Sequence, residues 1–113
     1  MYFFLVETLM KPKEKIELIV DRIVRVVNPL RIILFGSAAR GEANEHSDLD
    51  LLVIMPDGTH RRKTVQKLYR ELYGVGIAKD IVVSNESDIH HYGHDPGYIY
   101  KEAIEKGIEL YHV

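Results

Sequence analysis

Two short apolar runs, at residues 31–35 (RIILF) and 48–54 (DLDLLVI), constrain the fold of this chain more than any other feature. Both consist mainly of Ile, Leu and Val and end near a Gly or a Pro, so they predict two strands of one sheet. The second run opens with Asp48 and Asp50, which share one face of a strand because successive side chains alternate. Two carboxylates on one face of a small apolar sheet cost free energy unless a cation neutralises them. The pattern therefore predicts a hard divalent cation, such as Mg²⁺, at the start of the second strand.

The rest of the chain alternates between helical and strand-like patterns. Apolar residues at helical spacing predict three long helices, and further apolar runs predict two more strands. The predicted helices are at residues 14–27, at 37–40 with Ser37 as cap, at 60–73 with Thr59 as cap, and at 98–106; the predicted strands are at 31–35, 48–54, 79–84 and 108–113, and a polar loop is predicted at 85–97. Together they predict an α/β (α+β) fold, a small mixed β-sheet with helices packed against it.

The composition is that of an ordinary globular domain and narrows the classes of function. The chain has 113 residues, 46% hydrophobic and 28% charged, which predicts a single domain over residues 1–113. The net charge is −2, so the chain lacks the excess of Lys and Arg that binds nucleic-acid phosphates, and direct nucleic-acid binding is not expected. The absence of cysteine excludes disulfides and thiolate metal sites, and a cytoplasmic location is expected. No membrane association is expected, and the short apolar run at residues 2–6 predicts an edge strand or a packing arm.

A third acidic residue, Asp80, opens the predicted strand at residues 79–84. If this strand lies beside the second, Asp80 joins Asp48 and Asp50 at the same end of the sheet. Three carboxylates there would suit two Mg²⁺ ions about 3.5–4 Å apart, which bind the attacking and leaving oxygens of an in-line displacement. Asp48 and Asp50 would bind both ions, whereas Asp80 would bind the ion that activates an acceptor hydroxyl, and would accept its proton. The alternatives are charges that protect a sheet edge and, for Asp80, an ordinary surface carboxylate.

Gly36 and Ser37, between the first two strands, have the properties of a phosphate-binding turn. Glycine lets the backbone approach a phosphate closely, and the free N–H groups of a following helix attract anions. The Ser37 hydroxyl can donate to a triphosphate, and the Arg40 guanidinium can pair with phosphate oxygens or with one of the carboxylates. Gly36, Ser37 and Arg40 are therefore candidate nucleotide-binding residues.

These motifs resemble the minimal nucleotidyltransferases of the DNA polymerase beta superfamily. The matching runs are GSxARG at residues 36–41, SDxDL at 47–51, YxxKEAIxxG at 98–107 and LY at 110–111, with ten residues between Ser37 and Asp48. The resemblance spans residues 13–113. It implies transfer of AMP from Mg-ATP, with Mn²⁺ as an alternative metal, to a hydroxyl group. Within that family's pattern, Asp48, Asp50 and Asp80 are the catalytic metal ligands.

The resemblance also implies a partner. Minimal nucleotidyltransferases of this kind are often paired with a small helical HEPN-domain protein, and the pair behaves as toxin and antitoxin. The expected acceptor is a tyrosine of that partner, supplied in trans. The alternatives are a non-catalytic module that neutralises its partner by occlusion and, ranked lowest, an enzyme that modifies a small alcohol. A homodimer is plausible from the final strand and the tyrosines.

Two further polar clusters have open interpretations. His90, His91 and His94 could bind zinc or nickel, but a solvated loop is the preferred interpretation because no fixed spacing is assured. The cations at residues 60–63 (HRRK) begin a predicted helix, where positive charge is unfavourable, which suggests an anionic partner or a triphosphate tail. Simple solvent exposure is the preferred alternative, because such a penalty is screened at the surface. The tyrosines, Tyr69 among them, are expected to pack.

Overall fold

The computed structural model describes residues 12–41, 48–76, 79–92 and 99–113. The predicted arm at residues 2–6 and His94 lie outside these ranges. The described elements are, in order, α1 (Pro12–Val27), β1 (Arg31–Phe35), α2 (Gly36–Ala39), β2 (Leu49–Met55), α3 (Arg61–Glu71), β3 (Lys79–Asn85), α4 (Glu86–Tyr92), α5 (Ile99–Lys106) and β4 (Ile108–His112). Among them, no helix is both long and apolar enough to cross a membrane.

The four strands form one mixed sheet in the order β3-β2-β1-β4. β1 pairs antiparallel with β2 and with β4, whereas β2 and β3 are parallel. The parallel pair needs a crossover, and α3 supplies it between the end of β2 and the start of β3. The α/β class and the mixed sheet predicted from the sequence are confirmed.

Helices pack on both faces of the sheet, and each face has its own apolar cluster. The α1 and α3 face buries side chains that include Ile19, Ile23, Leu51, Val53 and Leu68. The opposite face buries Ile33, Phe35, Leu52, Ile54 and Ala103, the last of them on α5. This two-sided burial explains why β2 is a nearly continuous apolar run from Leu51 to Met55, since neither of its faces meets water there.

Most predicted boundaries agree with the structure to within two residues, but the predicted helix caps do not. α3 begins at Arg61 after His60, whose ring nitrogen accepts a hydrogen bond from the Lys63 N–H at 3.3 Å. The Thr59 hydroxyl instead donates to the Pro56 carbonyl at 2.7 Å, so the prediction that Thr59 caps α3 is wrong. α2 begins at Gly36 and has no side-chain cap, so the prediction that Ser37 is its cap is also wrong.

The predicted polar loop at residues 85–97 is wrong in its first half, where the chain forms α4. The Asp88 carboxylate accepts a hydrogen bond from the Asn85 N–H at 3.1 Å, which is one half of a capping box and satisfies a free donor at the helix start. The Asp57 carboxylate accepts another from the Ser87 N–H at 2.9 Å, and this bond lowers the pKa of Asp57. The helix is therefore stabilised partly by a residue thirty positions earlier in the chain.

Candidate functional site

The sheet brings Asp50 and Asp80 side by side. In the parallel register of β2 and β3 their Cα atoms are direct partners, so both side chains lie on the same face. Asp48 immediately precedes β2 and is exposed, whereas Asp50 is partly buried. The prediction that the Asp80 strand neighbours the Asp48–Asp50 strand is confirmed. All three acids lie at the end of the sheet where β2 and β3 begin, and we call this group of carboxylates the acidic edge.

Asp50 has the most perturbed environment of this group. Burial raises the pKa of its carboxyl above the ordinary value of 3.8, because a charged carboxylate loses hydration there. The negative charges of Asp80, Asp48 and Glu102 raise the pKa further, in that order, and the positive charge of Arg40 lowers it. The surroundings of Asp50 therefore destabilise its negative charge, and a bound cation would stabilise it.

The donor chemistry of this edge fits a hard cation, because carboxylate oxygens are the ligands that Mg²⁺ prefers. The side chains are near enough for Asp48 and Asp80 both to influence the titration of Asp50. Within the described ranges, however, no three His, Asp or Glu side chains are gathered closely enough to hold one metal ion. The metal-ligand roles of Asp48, Asp50 and Asp80 stay a prediction.

Gly36 lies directly against the Asp50 carboxylate. Its φ of 72° is in the left-handed region, which side chains with a Cβ rarely adopt. A Cβ built on Gly36 would overlap Asp50 Oδ2 and lie 3.2 Å from Asp50 Cγ. The antiparallel register places Phe35 opposite Asp50, which brings the next residue, Gly36, to the carboxylate. Glycine is therefore required here by both conformation and space.

Ser37 lies in the single turn of α2 and is partly buried. Its hydroxyl makes no hydrogen bond within the described part of the chain, so its donor remains available to a ligand. The structure thus places Ser37 next to the acidic edge, two residues after Phe35, which pairs with Asp50. The nucleotide-binding role of Ser37 stays a prediction.

Arg40 pairs with a carboxylate that sequence reasoning did not identify. Its Nη1 lies 2.9 Å from Glu102 Oε1, which joins the end of α2 to α5, and both side chains are about two-fifths exposed. The sequence-based hypothesis allowed Arg40 to pair with phosphate oxygens or with one of the three acids. Its described ion pair is with Glu102 instead, although Arg40 still acts on Asp50 through its charge.

A model of the family described as "Polymerase beta, Nucleotidyltransferase" matches residues 12–113, and the acidic edge and the Gly36 turn lie within that span. The chain belongs to this nucleotidyltransferase family. A relative from Methanocaldococcus jannaschii, named as the protein adenylyltransferase MJ1305, is 43% identical over 60 residues. That match covers 47% of the present chain and 41% of the relative, so the chain spans less than half of the curated protein that it matches.

Solved structures show the same nucleotidyltransferase fold. A nucleotidyltransferase from Sulfolobus solfataricus aligns with a TM-score of 0.61 and 19% identity, over 88% of this chain and 78% of the other. A toxin–antitoxin structure with AMP-PNP aligns with a TM-score of 0.51 and 23% identity, over 86% and 73% of the two chains. At these identities the likeness shows the fold alone.

The two other polar clusters of this nucleotidyltransferase lie away from the acidic edge. His60–Lys63 follow the far end of β2, and His90 and His91 are on α4, which follows the far end of β3. Asn85 is five residues after Asp80 on β3, a span of about 16 Å at 3.3 Å per residue. This separation favours the alternative interpretation of His60–Lys63 as solvent-exposed cations, and all four residues are exposed. The described histidines form no metal-binding group with other residues of the described ranges.

Tyr69 is a second residue at the acidic edge that sequence reasoning missed. It was expected to pack, yet its side chain is 40% exposed and its hydroxyl contacts the start of β3. Helical spacing places Tyr69 beside Leu68 on the apolar side of α3 and says nothing of a partner eleven residues later. No local signal in the sequence could have identified this contact, whereas Glu102 could have been suspected from its place in the YxxKEAIxxG motif.

The two members of the Arg40–Glu102 pair are expected to shift the pKa of Asp50 in opposite directions. Glu102→Gln removes a negative charge that raises this pKa, so the pKa should fall; Arg40→Gln removes a positive charge that lowers it, so the pKa should rise. Carbon-detected NMR titration of the Asp50 carboxyl measures both. Glu109→Gln is the matched control, because Glu109 pairs with Arg31 at 2.7 Å and has no influence on Asp50. Shifts of the same sign in the two variants would contradict this account.

Proposed function

We propose that the chain is a metal-dependent adenylyltransferase that transfers AMP from Mg-ATP to a hydroxyl of a protein partner. The observation that carries the proposal is the position of Asp50, a partly buried carboxylate of raised pKa with Asp80 directly beside it and Gly36 against it. Titratable groups perturbed by burial and by like charges are typical of functional sites. Membership of the nucleotidyltransferase family supplies the reaction class.

Each residue has a proposed role in this reaction. Asp48, Asp50 and Asp80 would hold two Mg²⁺ ions, with Mn²⁺ as an alternative, and the ions would offset the negative charge of the triphosphate and of the leaving pyrophosphate. Gly36 allows the turn to lie close to the site, and the Ser37 hydroxyl donates to a phosphate oxygen. Arg40 binds the nucleotide by its charge when its pair with Glu102 is exchanged for phosphate oxygens. Asp80, the exposed acid of β3, accepts the proton of the acceptor hydroxyl.

The proposed acceptor is a tyrosine of a HEPN-type toxin, so the chain would act as the antitoxin. This follows the resemblance to minimal nucleotidyltransferases, and the name of the Methanocaldococcus jannaschii relative supports a protein acceptor. An added AMP would place bulk and negative charge on the partner, which could close an RNA-cleaving site. The cytoplasmic location and the homodimer stay predictions.

Transfer of label from ATP tests the proposal. The chain is incubated with ATP labelled in its α-phosphate, Mg²⁺ and the proposed HEPN-type partner. We expect label on that protein with the wild type, and none with Asp48→Asn or in the presence of a chelator. Asp21→Asn is the matched control, because Asp21 is an exposed carboxylate of α1 that pairs only with Arg25 among the described residues, at 3.2 Å. Its transfer should equal that of the wild type.

The same experiment separates transfer from occlusion. If the partner is neutralised without label, and Asp48→Asn neutralises it as well as the wild type does, the chain is a binding module and the proposed enzyme is wrong. Isothermal titration with AMP-PNP then shows whether nucleotide binding needs the metal. Equal affinity in Mg²⁺ and in chelator would contradict the proposed ions.

A further inference from the structure

The hydroxyl of Tyr69 connects α3 to the first residues of β3. It accepts a hydrogen bond from the Ile81 N–H at 2.9 Å, and it lies 3.5 Å from Asp80 Oδ1. The side chain of Tyr69 thus contacts both the backbone of β3 and the carboxylate of Asp80. The contact is at the rim of the acidic edge, where 40% of the tyrosine side chain is exposed.

The topology explains why a tyrosine hydroxyl reaches this position. Among the described strands β3 is at the edge of the sheet, so within the described ranges part of its backbone has no neighbouring strand to bond with. An unpaired N–H at a partly buried position costs free energy, and α3 packs along β3 closely enough for Tyr69 to satisfy the N–H of Ile81. The tyrosine ring therefore has a fixed anchor on the backbone, independent of Asp80.

That anchor sets the direction in which the hydroxyl donates. A tyrosine hydroxyl has one proton and can also accept, so accepting from Ile81 leaves the proton for Asp80 Oδ1. The distance of 3.5 Å is long for an O–H···O bond, and such contacts in ligand-free sites often shorten when the substrate binds. A donor held on Oδ1 restrains the rotation of the carboxylate and leaves Oδ2 for a metal ion or an acceptor proton.

We propose that Tyr69 is a positioning residue for Asp80, holding Oδ1 so that Oδ2 stays aimed at the reacting groups. The inference rests on the proposed adenylyl transfer and deepens it, because it assigns a role to a residue outside the acidic set and the Gly36 turn. Partners that orient ligating or catalytic carboxylates in this way typically contribute about 10- to 100-fold to metal affinity or activity.

Tyr69→Phe tests the role, because it removes only the hydroxyl. In the label-transfer assay we expect kcat to fall about 10-fold while KM for ATP changes by less than about 2-fold, since the nucleotide-binding turn is untouched. Tyr73→Phe is the control: Tyr73 is one turn further along the chain, is 89% exposed, and its hydroxyl has no partner among the described residues. Its kcat should equal that of the wild type.

Hydrogen exchange of the Ile81 amide tests the contact separately from the activity. Tyr69→Phe should speed this exchange and leave the amides of the central strand β2 unchanged, whereas Tyr73→Phe should change neither. If exchange speeds up and kcat is unchanged, the contact exists but Tyr69 does not position Asp80, and the inference is wrong. If the Ile81 amide is unaffected, the contact itself is wrong. Absence of transfer by the wild type would overturn the proposed function, and this inference with it.

Discussion

Asp50→Asn is expected to abolish AMP transfer and, at neutral pH, to make the protein more stable. Loss of one metal-binding carboxylate removes several kcal/mol of transition-state stabilisation, so transfer should fall by about 10³-fold. The free energy of unfolding should rise by about 1 kcal/mol, because natural active sites retain destabilising groups for function. Asparagine has nearly the same shape as aspartate and carries no charge to be desolvated beside Asp80 and Asp48.

The pH dependence of stability follows from the direction of the Asp50 pKa. The folded state raises this pKa above 3.8, so between 3.8 and the raised value the folded chain binds more protons than the unfolded chain. The free energy of unfolding therefore falls as pH rises through that window, and the penalty is fully present above it. The amide introduced by Asp50→Asn does not titrate, so the variant should exceed the wild type in stability at neutral pH and lose that advantage below pH 3.8.

Urea unfolding at neutral pH and at a pH below 3.8 measures this difference, with Asp21→Asn as the control. The exposed Asp21 makes an i,i+4 surface pair with Arg25, so its loss should change stability only slightly. If Asp50→Asn lowers stability at neutral pH, the carboxylate is a structural group rather than a strained functional one. If the variant still transfers AMP at the wild-type rate, Asp50 is not a ligand of a required metal ion.

Local patterns predicted the elements that carry the acidic edge. β1 is found at residues 31–35, as its apolar run and Gly36 predict, whereas the parallel direction and the register that pair Asp50 with Asp80 come from the structure. Alternation along a strand also predicted that Asp50 would face away from Leu49 and Leu51. The bounds of β1 and the alternation along β2 depend on residues near one another in sequence, and for that reason they could be predicted.

The polar contacts around the acidic edge and α4 join residues that are far apart in the sequence, and local patterns could not predict them. Arg40 and Glu102 are separated by 62 positions, and α4 depends on the carboxylate of Asp57, 30 positions before Ser87. Tyr69 occupies a position that helical periodicity assigns to packing, yet it bonds to the next strand. In each case a polar side chain has several local alternatives, and only the packing of helices against the sheet selects one of them.

Gly36→Ala is expected to cost both stability and transfer, and to do so through Asp50. A φ of 72° is strained for alanine, which should lower the free energy of unfolding by about 1 kcal/mol or more. The added Cβ would also overlap Asp50 Oδ2, so the carboxylate must move away from the acidic edge. Displacement of a metal-binding group by about 1 Å can cost about 10²-fold in rate, and transfer should fall at least that far.

Gly58→Ala separates the two causes. Gly58 has a φ of 89°, and a Cβ there would meet nothing within 4 Å, so this variant carries the conformational cost without the overlap. It should lose stability and keep wild-type transfer. In an Asp50→Ala background, the two atoms nearest the added Cβ of residue 36 are gone, and the next is the Cβ of residue 50 at 3.4 Å, an ordinary contact. Gly36→Ala should then cost no more stability than Gly58→Ala does, because the overlapping oxygen has gone. An undiminished cost in that background, measured by urea unfolding as a double-mutant cycle, would show that Gly36 is required by something other than the Asp50 carboxylate.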